Sequence, residues 1–382
     1  MRYIVIIVFL AIGLHATDIF NSYNLSYTSI IHSEYEASLA KENNATFPSD
    51  SNSYVSWYNR LLFNYDIDDD FYISLGAKAN LVLGENNYHA PFYLRAKLTS
   101  EQLNQAIVSE ASINYDAEFV SLSVGRSDID YDWLLGSMDG VIASVGDDES
   151  ISLRLFWFQN FVQLQYNYYF ELNNINDSNG IYGAIVKSKI DNFDLTAYDY
   201  YMQDLRNISG LHVNYTSDWY AINLSYSEGK ALSLAVYDYD ESLAQISLET
   251  LWGKHFVEVG ASLTGENGLL AMIQLGSFMT GQFYLSNQVD RENARNAYIR
   301  YLYAKRNWRF ELLGGYTSYD NTFLSIADNL SSEELDCYLG YRLDSAWSLN
   351  LGAMAMNVDE ADPISVDQYL LTLNIGYHYE LF

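Results

Sequence analysis

The chain has 382 residues, with 49 Asp and Glu against 20 Lys and Arg and a formal net charge of −29. That balance excludes nucleic acid as a partner, because phosphate binding needs a basic surface. The single cysteine, Cys337, excludes an intramolecular disulfide and leaves no thiolate metal set. The rest of the composition is lopsided: 35 Tyr, 18 Phe and 7 Trp stand beside only 3 Pro. Aromatic girdles at two membrane interfaces use rings in such numbers, and an average soluble enzyme does not. The chain opens with Arg2, an apolar core Ile4–Leu14 and small Ala16, which reads as a signal peptide over residues 1–16. That core is too short for a spanning helix, and so is the longest later apolar run, Leu269–Met279, against the roughly 20 residues a span requires.

From residue 17 to 382 the sequence shows one domain, with no linker and no repeat longer than a hairpin. A first strand is expected near Phe20–His32, and apolar and polar residues then alternate with a period of two. Ile113 and Tyr115 oppose Ser112 and Asn114. Val120, Leu122 and Val124 oppose Ser121 and Ser123. Further on, Val257, Val259 and Ala261 oppose Glu258 and Ser262, and Trp308, Phe310 and Leu312 oppose Arg309 and Glu311. Ser150–Glu171 is too long for one strand and poorly punctuated for two. Short turns are expected at Ile67–Asp70, Asp116–Glu118, Asp147–Glu149, Lys189–Asn192, Ser217–Asp218, Gly253–Lys254, Lys305–Asn307 and Asp344–Ala346, with a ninth near Gly276–Ser277. Between them lie longer acidic stretches, among them Ser33–Asn52, Gly84–Gln105, Arg126–Asp139, Gly229–Ser242 and Asp320–Glu333. Glu34, Glu36, Glu241 and Asp362 belong to these presumed outer loops.

Tight turns alternating with long loops describe an all-β fold: a transmembrane antiparallel β-barrel with short periplasmic turns and long external loops. Nine turns give about 18 strands, within roughly 16 to 20. Backbone groups in hydrocarbon must all be paired, so strands can span only in a closed barrel. The last strand carries a more specific signal. Leu371, Leu373, Ile375, Tyr377, Tyr379 and Leu381 share one face. Asn374, Gly376, Tyr379 and Leu381 match the C-terminal insertion signal of bacterial outer-membrane barrels, and Phe382 supplies the terminal aromatic, one residue out of phase with that face.

The stretch from Glu110 to Trp157 resembles the Opr-type porins of Gram-negative outer membranes. In that family an acidic residue opens a strand, a hairpin ends in Gly-Arg followed by a polar residue and an acidic-aliphatic pair, and a Gly-Val pair restarts the wall after a loop. Glu110, Gly125-Arg126-Ser127-Asp128-Ile129-Asp130 and Asp139-Gly140-Val141 hold those places. The resemblance implies a passive diffusion channel for small hydrophilic solutes or ions in the bacterial outer membrane, with lipid and lipopolysaccharide around it, as a monomer or a homotrimer. The alternative is a barrel that works at the surface as adhesin, receptor or enzyme. No HExxH, GxSxG, P-loop or dinucleotide fingerprint is present, so neither catalysis nor a cofactor is expected.

Residues 127–138 are the expected constriction loop. Asp128, Asp130 and Asp132 alternate with Ser127, Ile129 and Tyr131, so an extended segment would line its carboxylates on one side. Basic wall residues would face them. Alternation turns Arg60, Lys78, Arg95, Arg154, Arg300, Arg309 and Arg342 inward, where a charge avoids the roughly 2–4 kcal/mol that Arg or Lys costs at the lipid midplane. The pore residues are then Arg126, Asp128, Asp130, Asp132, Arg154 and Arg300. Aspartates at alternate positions without a glycine or a distal glutamate make a poor calcium loop, and no metal site is expected.

Overall fold

A computed structural model of the chain describes residues 23–39, 50–86, 104–147, 149–165, 168–232, 240–269, 287–321, 327–362 and 367–381. The signal segment 1–16, Arg95, the turn expected at Gly276–Ser277 and Phe382 lie outside them.

The strands are β1 Tyr23–Leu39, β2 Asp50–Asp66, β3 Phe71–Asn86, β4 Ala106–Ala117, β5 Val120–Tyr131, β6 Leu134–Asp147, β7 Ile151–Gln165, β8 Tyr168–Asn174, β9 Ile181–Ile190 and β10 Phe193–Met202. They continue with β11 Arg206–Thr216, β12 Tyr220–Ala231, β13 Glu241–Trp252, β14 His255–Thr264, β15 Glu292–Lys305, β16 Trp308–Asn321, β17 Ala327–Arg342, β18 Trp347–Val358 and β19 Asp367–Leu381. Successive strands pair antiparallel, and β1 pairs with β19 from Leu25↔Leu381 to Leu39↔Asp367, which closes the sheet on itself. β8 and β9 both lie along β7, one beside its outer half and one beside its inner half. They are two pieces of one wall strand, broken by the turn Ile175–Ser178, so the barrel has 18 positions. This is the all-β barrel that alternation and turn spacing predict.

The count comes about differently from the expectation. Eight tight turns close eight hairpins, and the β1–β19 ladder supplies the last pairing. β14 and β15 pair directly from His255↔Tyr303 to Leu263↔Arg295, so no hairpin closed near Gly276–Ser277 is needed to join them in the ladder. Ser150–Glu171 resolves into β7 and the start of β8, which double back on each other. Several strands also run further outward than their alternation suggested. β1 extends to Leu39 and β13 begins at Glu241, which draws acids into the wall. Glu34 is buried, hydrogen-bonded to His32 at 3.1 Å and to the Tyr54 hydroxyl at 3.4 Å. Glu241 faces Arg206 at 3.5 Å, and buried Asp362 accepts from Tyr319 at 2.8 Å. The sequence had marked Glu34 and Glu241 as loop residues, and partners on the inner face explain their burial; Asp362 lies between β18 and β19, where a loop residue was expected.

Ile113, Val120, Leu122, Val124, Ile151 and Leu155 are exposed on the outer face, while Ser112, Asn114 and Ser152 are buried on the inner one. With a side-chain period of two, a single register sends every apolar residue outward. Rings cluster beside the short turns: Phe71–Tyr115, Phe193–Tyr215, Trp308–Tyr341 and Trp347–Tyr377 have centroids 4.8, 4.9, 4.5 and 4.8 Å apart. They form one girdle of the outer surface, with the polar end of each ring at the level of the turns.

Candidate functional site

The site starts where β5 leaves the wall. Its ladder with β4 runs from Ala117↔Val120 to Ala111↔Arg126 and ends there, although β4 begins at Ala106. Its ladder with β6 continues to Tyr131↔Leu134. The expected loop 127–138 is therefore a β-hairpin that has parted from β4. The bend is sharp: Ser123 and Ser127 bring their Oγ atoms to 3.2 Å, whereas four residues of straight strand span about 13 Å. Gly125 sits at φ +125° and faces Gly140 across the β5–β6 ladder. A Cβ on Gly140 would meet the Trp157 carbonyl oxygen at 1.9 Å, so the two glycines let the backbones close at the bend.

Beyond the bend the hairpin buries one face. Ile129, Trp133, Leu134 and Met138 pack in one apolar cluster with Phe156, Phe158, Ile181, Tyr198, Tyr200, Ile208 and Leu243. Tyr198, Tyr200, Ile208 and Leu243 alternate with exposed outer-face residues such as Tyr201, Leu211 and Ile246, so they stand on the inner face of β10, β11 and β13. The hairpin tip thus leans inward over the wall from its root at β5 and β6 as far as β10 and β11. Two polar contacts pin it there. Trp133 donates its indole N–H to the Tyr198 hydroxyl at 2.9 Å, which lies 2.6 Å from Ser227 Oγ. Asp132 Oδ2 lies 2.8 Å from His212 Nε2. Trp133 holds φ +64°, as the turning residue of the tip.

The other face carries the acids. Asp128 accepts from Lys78 Nζ at 2.7 Å through each oxygen and lies 3.2 Å from Arg60 Nη2. Ser137 donates to it at 3.1 Å. Arg60 also donates to Glu110 at 3.1 Å, so this β2 cation is shared between a hairpin acid and a β4 acid, while Lys78 of β3 serves Asp128. Asp130 is exposed and forms no ion pair among the described residues. Arg126 is held at the bend by Asp139, at 2.6 and 2.7 Å. Arg154 donates to Ser144 at 3.2 Å and stands over the Tyr131 ring, 5.4 Å from its centroid. Arg300 is elsewhere: Glu311 at 2.6 Å and Glu258 at 3.6 Å hold it on the β14–β16 wall, with Arg309 on the same Glu311 at 2.8 Å.

Two short stretches that alternation had not marked, one ending at Leu269 and one starting at Asn287, also pack inward. In the β14–β15 connection, Leu269 is fully buried in the same cluster as Trp133. Val289 packs on Leu313 and Tyr298, its carbonyl accepts from Thr264 Oγ1 at 2.6 Å, and the Asn287 N–H donates to Glu334 at 2.7 Å. Near the short turns, between the hairpin root and the chain reversals, lies a cavity of about 320 Å³ whose lining includes Asn114, Ser121, Ser123, Ser144, Ser152 and Arg154.

No family model and no curated protein matches the chain. Solved structures do. OccAB4 of Acinetobacter baumannii matches with a TM-score of 0.74 at 13% identity, over 96% of this chain and 100% of that one. The outer membrane protein OpdK of Pseudomonas aeruginosa matches with a TM-score of 0.73 at 12% identity, over 95% and 100%. OccD3 (OpdP) of Pseudomonas aeruginosa gives 0.71 at 13% identity, over 96% and 93%. Identity this low over nearly full length is a likeness of fold: the chain is a closed 18-stranded antiparallel β-barrel similar in architecture to these solved outer-membrane proteins, the architecture that the Opr-type resemblance implied.

Proposed function

We propose that the protein is an outer-membrane porin, a diffusion channel for small hydrophilic solutes or ions whose narrow zone is the β5–β6 hairpin. The observation that carries this reading is the hairpin itself: its apolar face is spent on the inner wall of β10–β13, while Asp128 meets Lys78 and Arg60 and Asp130 is left exposed. A lumen at this strand number is wide, and an inserted segment narrows it. Fixed charges around such a zone select solutes by sign. Asp128, Asp130 and Asp132 supply the acids; Lys78 and Arg60 face Asp128, Arg154 stands beside Tyr131, and Arg300 contributes to the field of the wall beyond. Arg126 belongs to the hairpin root. The solved structure of OpdK with vanillate shows a small organic anion with that protein. An anion of that kind is a reasonable first solute to test here. Asn374, Gly376, Tyr379, Leu381 and Phe382 serve as the insertion signal in this reading.

Purified, folded protein in a planar bilayer should give discrete current steps in salt solution. Absence of any step from protein that shows the heat-dependent gel shift of a folded barrel would end the porin reading. The Asn variants of Asp128, Asp130 and Asp132 together should move the reversal potential in a salt gradient toward anions, and an unchanged potential would remove the hairpin from the narrow zone.

A further inference from the structure

At the level where the hairpin departs, β4 loses its neighbour. Ala106–Val108 and Glu110 pair with β3, with Ser109 bulged out between them, but the β5 ladder has already ended at Arg126. A strand edge in a membrane wall leaves carbonyls that water cannot reach and that must find donors. Arg126 supplies one. Its Nη1 donates to the Val108 carbonyl at 3.1 Å, in the row the missing strand would have filled. Its Nε and Nη2 grip the two oxygens of Asp139, the residue directly opposite it on β6. Asn160, opposite Asp139 on β7, donates to the same carboxylate at 3.2 Å. One side-chain row thus ties β4, β5, β6 and β7 together across the bend, next to the Gly125–Gly140 pair that allows it.

We propose that Arg126 and Asp139 are positioning residues: a clamp that seals the β4 edge and fixes the angle at which the hairpin leans inward. The clamp lies two residues from Asp128, so a change of angle moves that carboxylate relative to Lys78 and Arg60. The proposal rests on the porin reading only where its readout is current. A guanidinium fork serves Asp139 and Val108 at once, and an ammonium cannot present that geometry.

The test compares Arg126→Met, Arg126→Lys, Asp139→Asn and the Arg126→Met/Asp139→Asn double variant in folded full-length protein, checked by heat-dependent gel mobility. The first readout needs no current: iodide quenching of Trp133, isolated by subtracting the signal of the matching Trp133→Phe protein. Trp133 is fully buried, so the parent should be shielded. Arg126→Met should raise the quenchable population on the order of tenfold, as expected for losing a charge-assisted bond. Arg126→Lys should fall between, and the double variant should show no more than the larger single effect, the sign of one shared contact. The second readout is single-channel current, where the clamp variants should add open-state flicker and shift the reversal potential. Trp133 shielded as in the parent in every folded variant, or additive effects in the double variant, would overturn the clamp. If Arg126→Met does not fold, Asp139→Asn, which keeps the side-chain shape, decides alone. A silent parent channel would sink the porin reading and leave the quenching result to judge the clamp.

Discussion

Asp128 holds Lys78 through both oxygens and shares Arg60 with Glu110, so its charge is matched while that of Asp130 stands exposed. The two acids should therefore answer differently to the same change. Asp128→Asn leaves Lys78 and Arg60 with only Glu110 as counter-charge, which should move the reversal potential toward anions by more than Asp130→Asn does. Equal shifts, measured in the same salt gradient, would mean that solvent screens the pairing away. The alternation of aspartates was plain in the sequence, and so was the inward direction of Arg60 and Lys78. Their meeting was not, because β2, β3 and β5 come together through the bend at Gly125, and a sequence pattern records the side a residue faces but not how sharply its strand turns.

The hairpin was legible as a polar interval between two wall hairpins, and its Gly125-Arg126 and Gly140-Val141 ends were visible as motifs. Its strand character was not. Leu134, Leu135 and Met138 sit among polar residues without a clean period, since one face packs on a wall that is remote in sequence. Packing is what holds the tip, and it can be tested there. Trp133→Ala removes a buried ring together with the bond to Tyr198; such truncations cost about 3–5 kcal/mol in a packed core. Here the loss should undock the tip rather than unfold the barrel, so conductance should rise while the heat-dependent gel shift persists. Unchanged conductance would mean that the remaining apolar contacts suffice. At the bend, Gly140→Ala places a methyl against the Trp157 carbonyl. It should lower the yield of folded protein far more than Gly84→Ala, where a Cβ meets nothing within 4 Å. Similar yields in refolding experiments would show that the bend can open.

At the scale of the molecule the barrel was the most legible feature, because each strand repeats the same message of apolar outside and polar inside. The outer surface it defines is a solvent boundary. Leu155→Arg puts a charge on the exposed lipid face and should destabilise the folded barrel by about 2–4 kcal/mol near the midplane, whereas Ser121→Arg, opposite in phase to exposed Val120 and Leu122, should cost far less. Urea titration in lipid vesicles compares the two, and equal losses would misplace the hydrocarbon. What composition could not convey was the use made of the acids. Their number marked loops, yet Glu34 and Glu241 are spent inside against His32 and Arg206, as Glu258 and Glu311 on the polar strand faces are against Arg300 and Arg309.

The ladder between β1 and β19 also governs the order of events during assembly. Every other neighbouring pair of strands is joined by a short or moderate length of chain, so each can zip as its segment arrives. The first and last strands meet only after all of the intervening chain is in hand. Bringing ends about 340 residues apart together costs about 5 kcal/mol beyond a fixed term, since that entropy grows only with the logarithm of length. The fifteen aligned residue pairs of that ladder, from Leu25↔Leu381 to Leu39↔Asp367, repay it in one step. Until then Tyr23–Leu39 and Asp367–Leu381 are two open edges of the same sheet, and a chain halted at that stage would be free to pair with its neighbour instead of with itself.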